Sequence, residues 1–247
     1  MVDAKPVDHD LRPSSLLPAQ NTSIAVSGLG PRRSGGAAPA QVHILRLPYR
    51  ICWWGAYSWP VTLTLAEVAA EAADCTKCGL AQGRTQVVFG MGNPSADLMF
   101  VGEGPGAEED KQGLPFVGRS GKLLDRLMAE EIGLNRDSCY IANVVKCRPP
   151  GNRDPKPDEI AACRPWLEHQ VELIAPKVVV TLGNFSSKLL LDTKTGITKL
   201  RGQSYPMPNA DAVIIPTYHP AAVLRGGGLQ EAQMRSDLVR ARMAMSR

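Results

Sequence analysis

Four cysteines constrain this chain more than any other feature of its sequence. Cys75 and Cys78 form a C-x2-C pair, Cys147 lies far downstream, and Cys163 follows it by 16 positions. If the four serve one centre, three separated segments must be brought to one place. The first residues carry Asp3, Lys5, Asp8 and Asp10 with no apolar stretch behind them, so no secretory signal is expected and a reducing, cytoplasmic setting follows. Cysteines in such a setting hold metal more often than they form disulfides. A tetrahedral zinc site and a [4Fe–4S] cluster both take four thiolates, and ligand softness does not separate them. Zinc sites commonly pair two close C-x2-C knuckles, whereas this chain has one knuckle and two isolated cysteines, a spacing that favours the cluster. Of the remaining two, Cys139 is expected to pack at the start of a strand as a small hydrophobe, and Cys52 has no comparable context.

The pattern around these cysteines is regular from Thr64 onward. Thr64 and Glu67 form a capping box, which predicts a helix from Leu65 to about Ala73. Apolar strand candidates at 97–101, 140–145, 178–182 and 213–216 then alternate with helices. These run from about Ser120 to Glu131, from Pro157 onward, over a short stretch capped by Asn184, and from about Leu229 to Met245. Strands separated by helices of this length predict an α/β fold, a parallel sheet with helices on both faces. In such sheets function gathers at the carboxyl ends of the strands. Residues 1–44, rich in Pro, Gly, Ala and Ser without apolar periodicity, are expected to be disordered. Residues 45–61 crowd Trp53, Trp54 and Trp59 into a patternless stretch, read either as a docking segment or as sequence upstream of the folded part. The chain therefore divides into an irregular extension, 1–62, and a folded domain, 63–247.

Net charge says little about partners. The formal charge is +4, but residues 1–62 hold six basic and three acidic residues, which leaves +1 for the rest of the chain. The longest weakly polar run, 51–66, is broken by Pro60 and is shorter than the roughly 20 residues of a membrane-spanning helix, so no membrane anchor is expected.

Three strand ends carry candidate chemistry. Gly102-Glu103-Gly104-Pro105-Gly106 follows the first strand as a tight turn, without the spacing of a Walker loop or a dinucleotide fingerprint, so no nucleotide cofactor is expected. Asn143 interrupts the apolar run Tyr140–Val145, where an amide costs ~1–3 kcal/mol unless it is paired. It either satisfies the backbone or reads a ligand. His219 follows the last strand within Thr217-Tyr218-His219-Pro220-Ala221-Ala222, where a single histidine is structural more often than catalytic.

Taken jointly and in order, four motifs resemble family 4 uracil-DNA glycosylases, the iron–sulfur branch of the uracil-DNA glycosylase superfamily. They are Gly-Glu-Gly-Pro-Gly at 102–106, Leu-Pro-Phe-Val-Gly-Arg at 114–119, Asn143 with Lys146-Cys147-Arg148-Pro149-Pro150, and His219-Pro220-Ala221-Ala222. The resemblance runs from about Thr64 to Gly228 and leaves residues 1–62 untouched. It implies a three-layer αβα sandwich around a central, mainly parallel four-stranded sheet, and a [4Fe–4S] cluster on Cys75, Cys78, Cys147 and Cys163. The implied activity is hydrolysis of the N-glycosidic bond of uracil in single- or double-stranded DNA, leaving an abasic site, by a monomer of the cytoplasm that associates with the nucleoid when bound.

Residue by residue, the resemblance makes Phe116 the aromatic shelf under a flipped uracil and Asn143 the amide that pairs with its polar edge. Glu109 would crowd C5 so that thymine is refused. His219 would hydrogen-bond the O2 atom on which negative charge develops. Gly104, at the uracil site, stands where the best-known superfamily members place a water-activating aspartate, which leaves Glu103 as the candidate for positioning water. Phosphate contacts are expected from Arg119, Lys122, Arg148, Arg153 and Arg225, within or beside basic runs that border the cleft. The cluster would act as a staple for the 148–164 loop. Two alternatives remain: a self-trapping superfamily variant, which needs an inserted basic loop with a histidine that 116–123 lacks, and a non-catalytic iron–sulfur or zinc DNA-binding module, which the presence of Glu103, Asn143 and His219 disfavours.

Overall fold

The structure, a computed structural model, describes residues 63–208 and 210–246. The expectations for the 1–62 extension, including Cys52, Trp53, Trp54 and Trp59, lie outside the described residues. Helix α1 (Leu65–Ala73) starts at the capping box: the Glu67 carboxylate accepts from the Thr64 N–H at 2.6 Å, and Thr64 Oγ1 accepts from the Glu67 N–H at 3.3 Å. The chain continues through β1 (Met91–Gly92), β2 (Leu98–Gly102), α2 (Ala107–Gln112), α3 (Arg119–Glu131), β3 (Tyr140–Asn143), α4 (Pro157–Ile174) and β4 (Val178–Leu182). It ends with α5 (Asn184–Leu190), α6 (Ile197–Leu200), β5 (Tyr205–Pro206), β6 (Val213–Thr217), α7 (Pro220–Gly226) and α8 (Gly228–Met245).

The strands form one sheet in the order β1-β3-β2-β4-β6-β5. The inner four are parallel, and β1 and β5 flank them antiparallel. Alternation along β2 assigns its two faces: Met99 and Val101 join Val68, Trp166, Leu167 and Val171 of α1 and α4, while Leu98 and Phe100 join Leu124, Leu127, Met234 and Leu238 of α3 and α8. Each such side chain, buried on folding, contributes roughly 1.5–3 kcal/mol, which is why the parallel strands read as continuous apolar runs. Among the described residues no helix is long and apolar enough to cross a membrane.

Three expectations need correction. The sheet has six strands rather than four, because β1 and β5 are two-residue edge pairs with no periodicity to reveal them; Pro206 is tolerated there because an edge position asks for no ladder N–H on its outer side. Asn184 does not cap α5. Gly183 occupies the cap at φ 99°, and Asn184 Oδ1 accepts from the Ile197 N–H at 3.1 Å, tying α5 to α6. The third strand also ends at Asn143, two residues earlier than its apolar run, although Val144 and Val145 still donate to the Gly102 and Glu103 carbonyls.

The chain runs from β2 to β3 on one side and then crosses to β4 on the other, so the carboxyl end of β2 is a topological switch point, where a crevice opens in such sheets. Gly102 pairs in register with Asn143 there, and Leu182 with Thr217.

Candidate active site

The site is built on Gly102. A Cβ at this position would fall 2.4 Å from Asn143 Oδ1 and 2.6 Å from Phe116 Cζ, so only glycine lets both side chains close over the strand end. Asn143 is 1% exposed, and its Oδ1 has no hydrogen-bond partner. A buried acceptor left unpaired costs ~1–3 kcal/mol, a cost that a ligand donor would remove.

Phe116 reaches this point through a strained backbone, with φ at 54°. The carbonyls of Pro115 and Phe116 both accept from the Arg136 guanidinium, the former at 2.9 Å, and Arg136 Nε bonds Asp125 at 2.7 Å. Arg136 is a supporting residue that sequence reasoning missed, since no motif marks it. The Phe116 ring lies 5.7 Å from the His219 ring.

His219 is the N-cap of α7, and its Nδ1 accepts from the Ala221 N–H at 3.1 Å. That bond leaves Nε2 to carry the proton of the neutral ring. Burial, helped by the positive charge of Arg225 and opposed by Glu109, lowers its pKa to about 4. The imidazole is therefore a neutral donor at ordinary pH.

Glu109 is buried rather than solvated at a helix start. Oε2 accepts from the Gly106 N–H at 3.1 Å, and Oε1 accepts from the Val117 and Gly118 N–H groups at 3.0 and 3.1 Å. One carboxylate thus ties the turn after β2 to the loop that follows Phe116. At Gly104 a Cβ would lie 2.8 Å from Val145 Cγ2, so a side chain there displaces the segment after β3.

Glu103 and His219 line a cleft of about 610 Å³ together with Asp154, Arg164, Phe185 and Lys188. Burial first, and then the adjacent Asp154 carboxyl, raise the Glu103 pKa to about 7. Asp154 also escaped the sequence reading, because it lies in a polar run and reaches Glu103 only through folding.

The basic candidates separate. Arg119 and Lys122 are exposed on the first turn of α3, and Arg225 is exposed at the end of α7. Arg148 bonds Asn152 Oδ1 at 2.8 Å. Arg153 is committed within the protein: it grips Glu159 at 2.9 and 2.6 Å and the Asp154 carbonyl at 2.9 Å, holding the Glu159 pKa down to about 2.

Cys75, Cys78, Cys147 and Cys163 line one small cavity with Lys77, Arg84, Lys146 and Trp166. Arg84 Nη1 donates to the Cys75 carbonyl at 2.5 Å and to Cys147 Sγ at 3.6 Å, and the Lys146 N–H donates to Cys163 Sγ at 3.2 Å. Burial pushes the Cys163 thiol up to about 12. Among the described residues, no three His, Cys, Asp or Glu side chains are grouped closely enough to hold a metal ion. Cys139 is buried with its Sγ 3.4 Å from Met128 Sδ, the packing role expected of it.

Comparison with known proteins places these elements in context. The family model described as the Uracil DNA glycosylase superfamily matches residues 89–241. The chain is 48% identical over 174 residues to a protein of Sulfurisphaera tokodaii named type-4 uracil-DNA glycosylase, covering 68% of this chain and 79% of that one. A protein of the same name from Thermotoga maritima is 49% identical over 163 residues, 65% of this chain and 84% of the relative. A third, from Saccharolobus solfataricus, is 47% identical over 163 residues, 64% and 76% of the two chains.

Proposed function

Because the chain belongs to the uracil DNA glycosylase superfamily, we propose that the crevice at the ends of β2, β3 and β6 is where it excises uracil from DNA. The protein is a uracil-DNA glycosylase that serves DNA repair. One observation carries the assignment of the site: a buried Asn143 Oδ1 without a partner, closing over Gly102 with the Phe116 ring, which in turn lies 5.7 Å from a neutral imidazole.

A flipped uracil lies on Phe116. Its N3–H donates to Asn143 Oδ1 and its O4 accepts from the same amide, a pattern that cytosine inverts. Cleavage of the glycosidic bond sends electrons into the base, and the Nε2–H of His219 donates to O2 as charge develops there. His219 acts without gaining a proton, since its depressed pKa keeps it neutral. Glu103, ionised above pH of about 7, orients the water that attacks the sugar. Glu109 forms a fixed wall toward C5, its carboxylate held by three backbone amides.

Arg119, Lys122, Arg148 and Arg225 supply phosphate contacts, with affinity that falls as salt rises. Arg153 contributes by shaping the loop through Glu159 rather than by reaching DNA. Residues 63–246 carry every group used, so the folded domain is the working unit.

The cysteine cavity suits a [4Fe–4S] cluster: its lining brings four thiols together, and the N–H and cationic donors around them suit an anionic centre. Cys75, Cys78, Cys147 and Cys163 would hold it, and once bound it cross-links the segment after α1, the segment after β3 and α4. The test is incubation of the protein with a uracil-containing oligonucleotide followed by alkali. Strand cleavage at uracil alone is expected, and intact strands with iron-loaded protein would refute the assignment.

A further inference from the structure

Lys146 is 1% exposed, and the excision chemistry described above does not use it. Its ammonium donates to the Asn143 carbonyl at 2.7 Å and to Gln170 Oε1 at 2.5 Å, and it lies 5.7 Å from the centre of the Phe89 ring. These hydrogen-bond partners are neutral. Gln170, also buried, spends its amide on the Phe89 carbonyl at 2.8 Å and the Tyr140 hydroxyl at 3.2 Å, which anchors the arrangement to the start of β3.

The other side of Lys146 faces the cysteines. Its N–H donates to Cys163 Sγ, it precedes Cys147, and it helps line the cysteine cavity. That lining contains no carboxylate. A buried ammonium is costly without an anion nearby, and thiolates holding a metal centre are the anions this cavity offers.

We propose that Lys146 is a positioning residue coupling the cysteine centre to base reading: the centre balances its charge, and its ammonium fixes the backbone of Asn143 at the end of β3. Two hydrogen bonds on opposite ends of one residue then join the fourth cysteine to the backbone carbonyl of Asn143, the residue whose side-chain amide meets uracil. The coupling rests on the iron–sulfur and Asn143 assignments of the preceding section. It gives the centre a second task, since a filled site holds Asn143 in register and an emptied one releases it.

The test uses the full chain with Lys146→Met, and Lys77→Met as the control. Lys77 is an exposed cation at the same cavity, 4.3 Å above the Trp166 ring. Three quantities are read: iron content, the reduction potential of the centre, and binding to duplexes carrying either cytosine or a non-cleavable uracil nucleotide. Lys146→Met should keep its iron but show a lower potential, because a buried positive charge that favours the added electron is gone. Its preference for uracil over cytosine should fall roughly 10- to 100-fold, the scale on which outer supporting partners tune metal and ligand sites, with affinity for undamaged duplex unchanged. Lys77→Met should shift the potential less and keep the preference. A wild-type preference or an unshifted potential in Lys146→Met would overturn the coupling. If that variant does not accumulate, wild-type protein compared before and after iron removal, each with its melting temperature, decides the matter, and an unchanged preference overturns the proposal. Absence of iron from fresh wild-type protein would instead sink the cluster assignment, an outcome distinct from failure of the coupling.

Discussion

Replacing Asn143 with alanine should stabilise the free protein while disabling it. The amide oxygen is buried without a partner, so truncation removes a penalty of ~1–3 kcal/mol. The vacated space costs something in return, on the order of 1 kcal/mol where a small side chain is shortened. The balance lies between about 0 and 2 kcal/mol in favour of the variant. For a domain of this size, that is an increase in Tm of up to roughly 4–8 °C, at ~2–4 °C per kcal/mol. Catalysis should move the other way. Without the amide, uracil N3–H and O4 enter the pocket unpaired, at ~1–3 kcal/mol each, which corresponds to roughly 30-fold to 10⁴-fold in rate. Scanning calorimetry and single-turnover excision on the same preparation measure both signs at once. A variant that melts several degrees lower yet excises uracil at full speed would show that Asn143 is scaffold, and the reading of the pocket would fall with it.

Three further outcomes follow from the geometry. His219→Ala should slow single-turnover excision roughly 10²- to 10³-fold with little change in uracil-DNA binding, since the imidazole meets charge that exists only in the transition state; in the wild type its neutral form should persist down to pH of about 4, so the rate should not depend on it above that value. The Glu103 pKa is raised to about 7, so its carboxyl is protonated below and ionised above that pH; the excision rate should climb as pH rises through about 7, and Glu103→Gln should lower the plateau and flatten the climb, as a pH–rate profile will register. Serine at Cys147 or Cys163 should cost iron, solubility and DNA affinity together, measured by metal analysis and by titration at one salt concentration, because losing a ligand frees the segments it joins.

Local chemistry was legible in the chain itself. The Thr64 and Glu67 capping box, the four apolar strands and the glycine turn after β2 depend on neighbours a few residues apart, and periodicity records such neighbours directly. The order of the motifs likewise marked Phe116, Asn143 and His219, of which the first two close over Gly102 and the third lies 5.7 Å from the Phe116 ring. What the sequence could not carry was which polar groups would be buried against distant partners. Nothing in the sequence shows that the Glu109 carboxylate meets amides at 106, 117 and 118, and Arg153 looked like a phosphate ligand until Glu159 took its guanidinium. Arg136 under Phe116 and Asp154 beside Glu103 are contacts between segments 20 and 51 residues apart. The two edge strands exist only because longer strands offer them a partner. Lys146 appears in the sequence only as the first residue of the Lys-Cys-Arg-Pro-Pro motif, and only the packing of the segment after β3 against α4 turns it into a buried cation between the fourth cysteine and Asn143. Burial and long-range pairing are properties of the folded chain, and a charged side chain carries no local mark of whether water or protein will surround it.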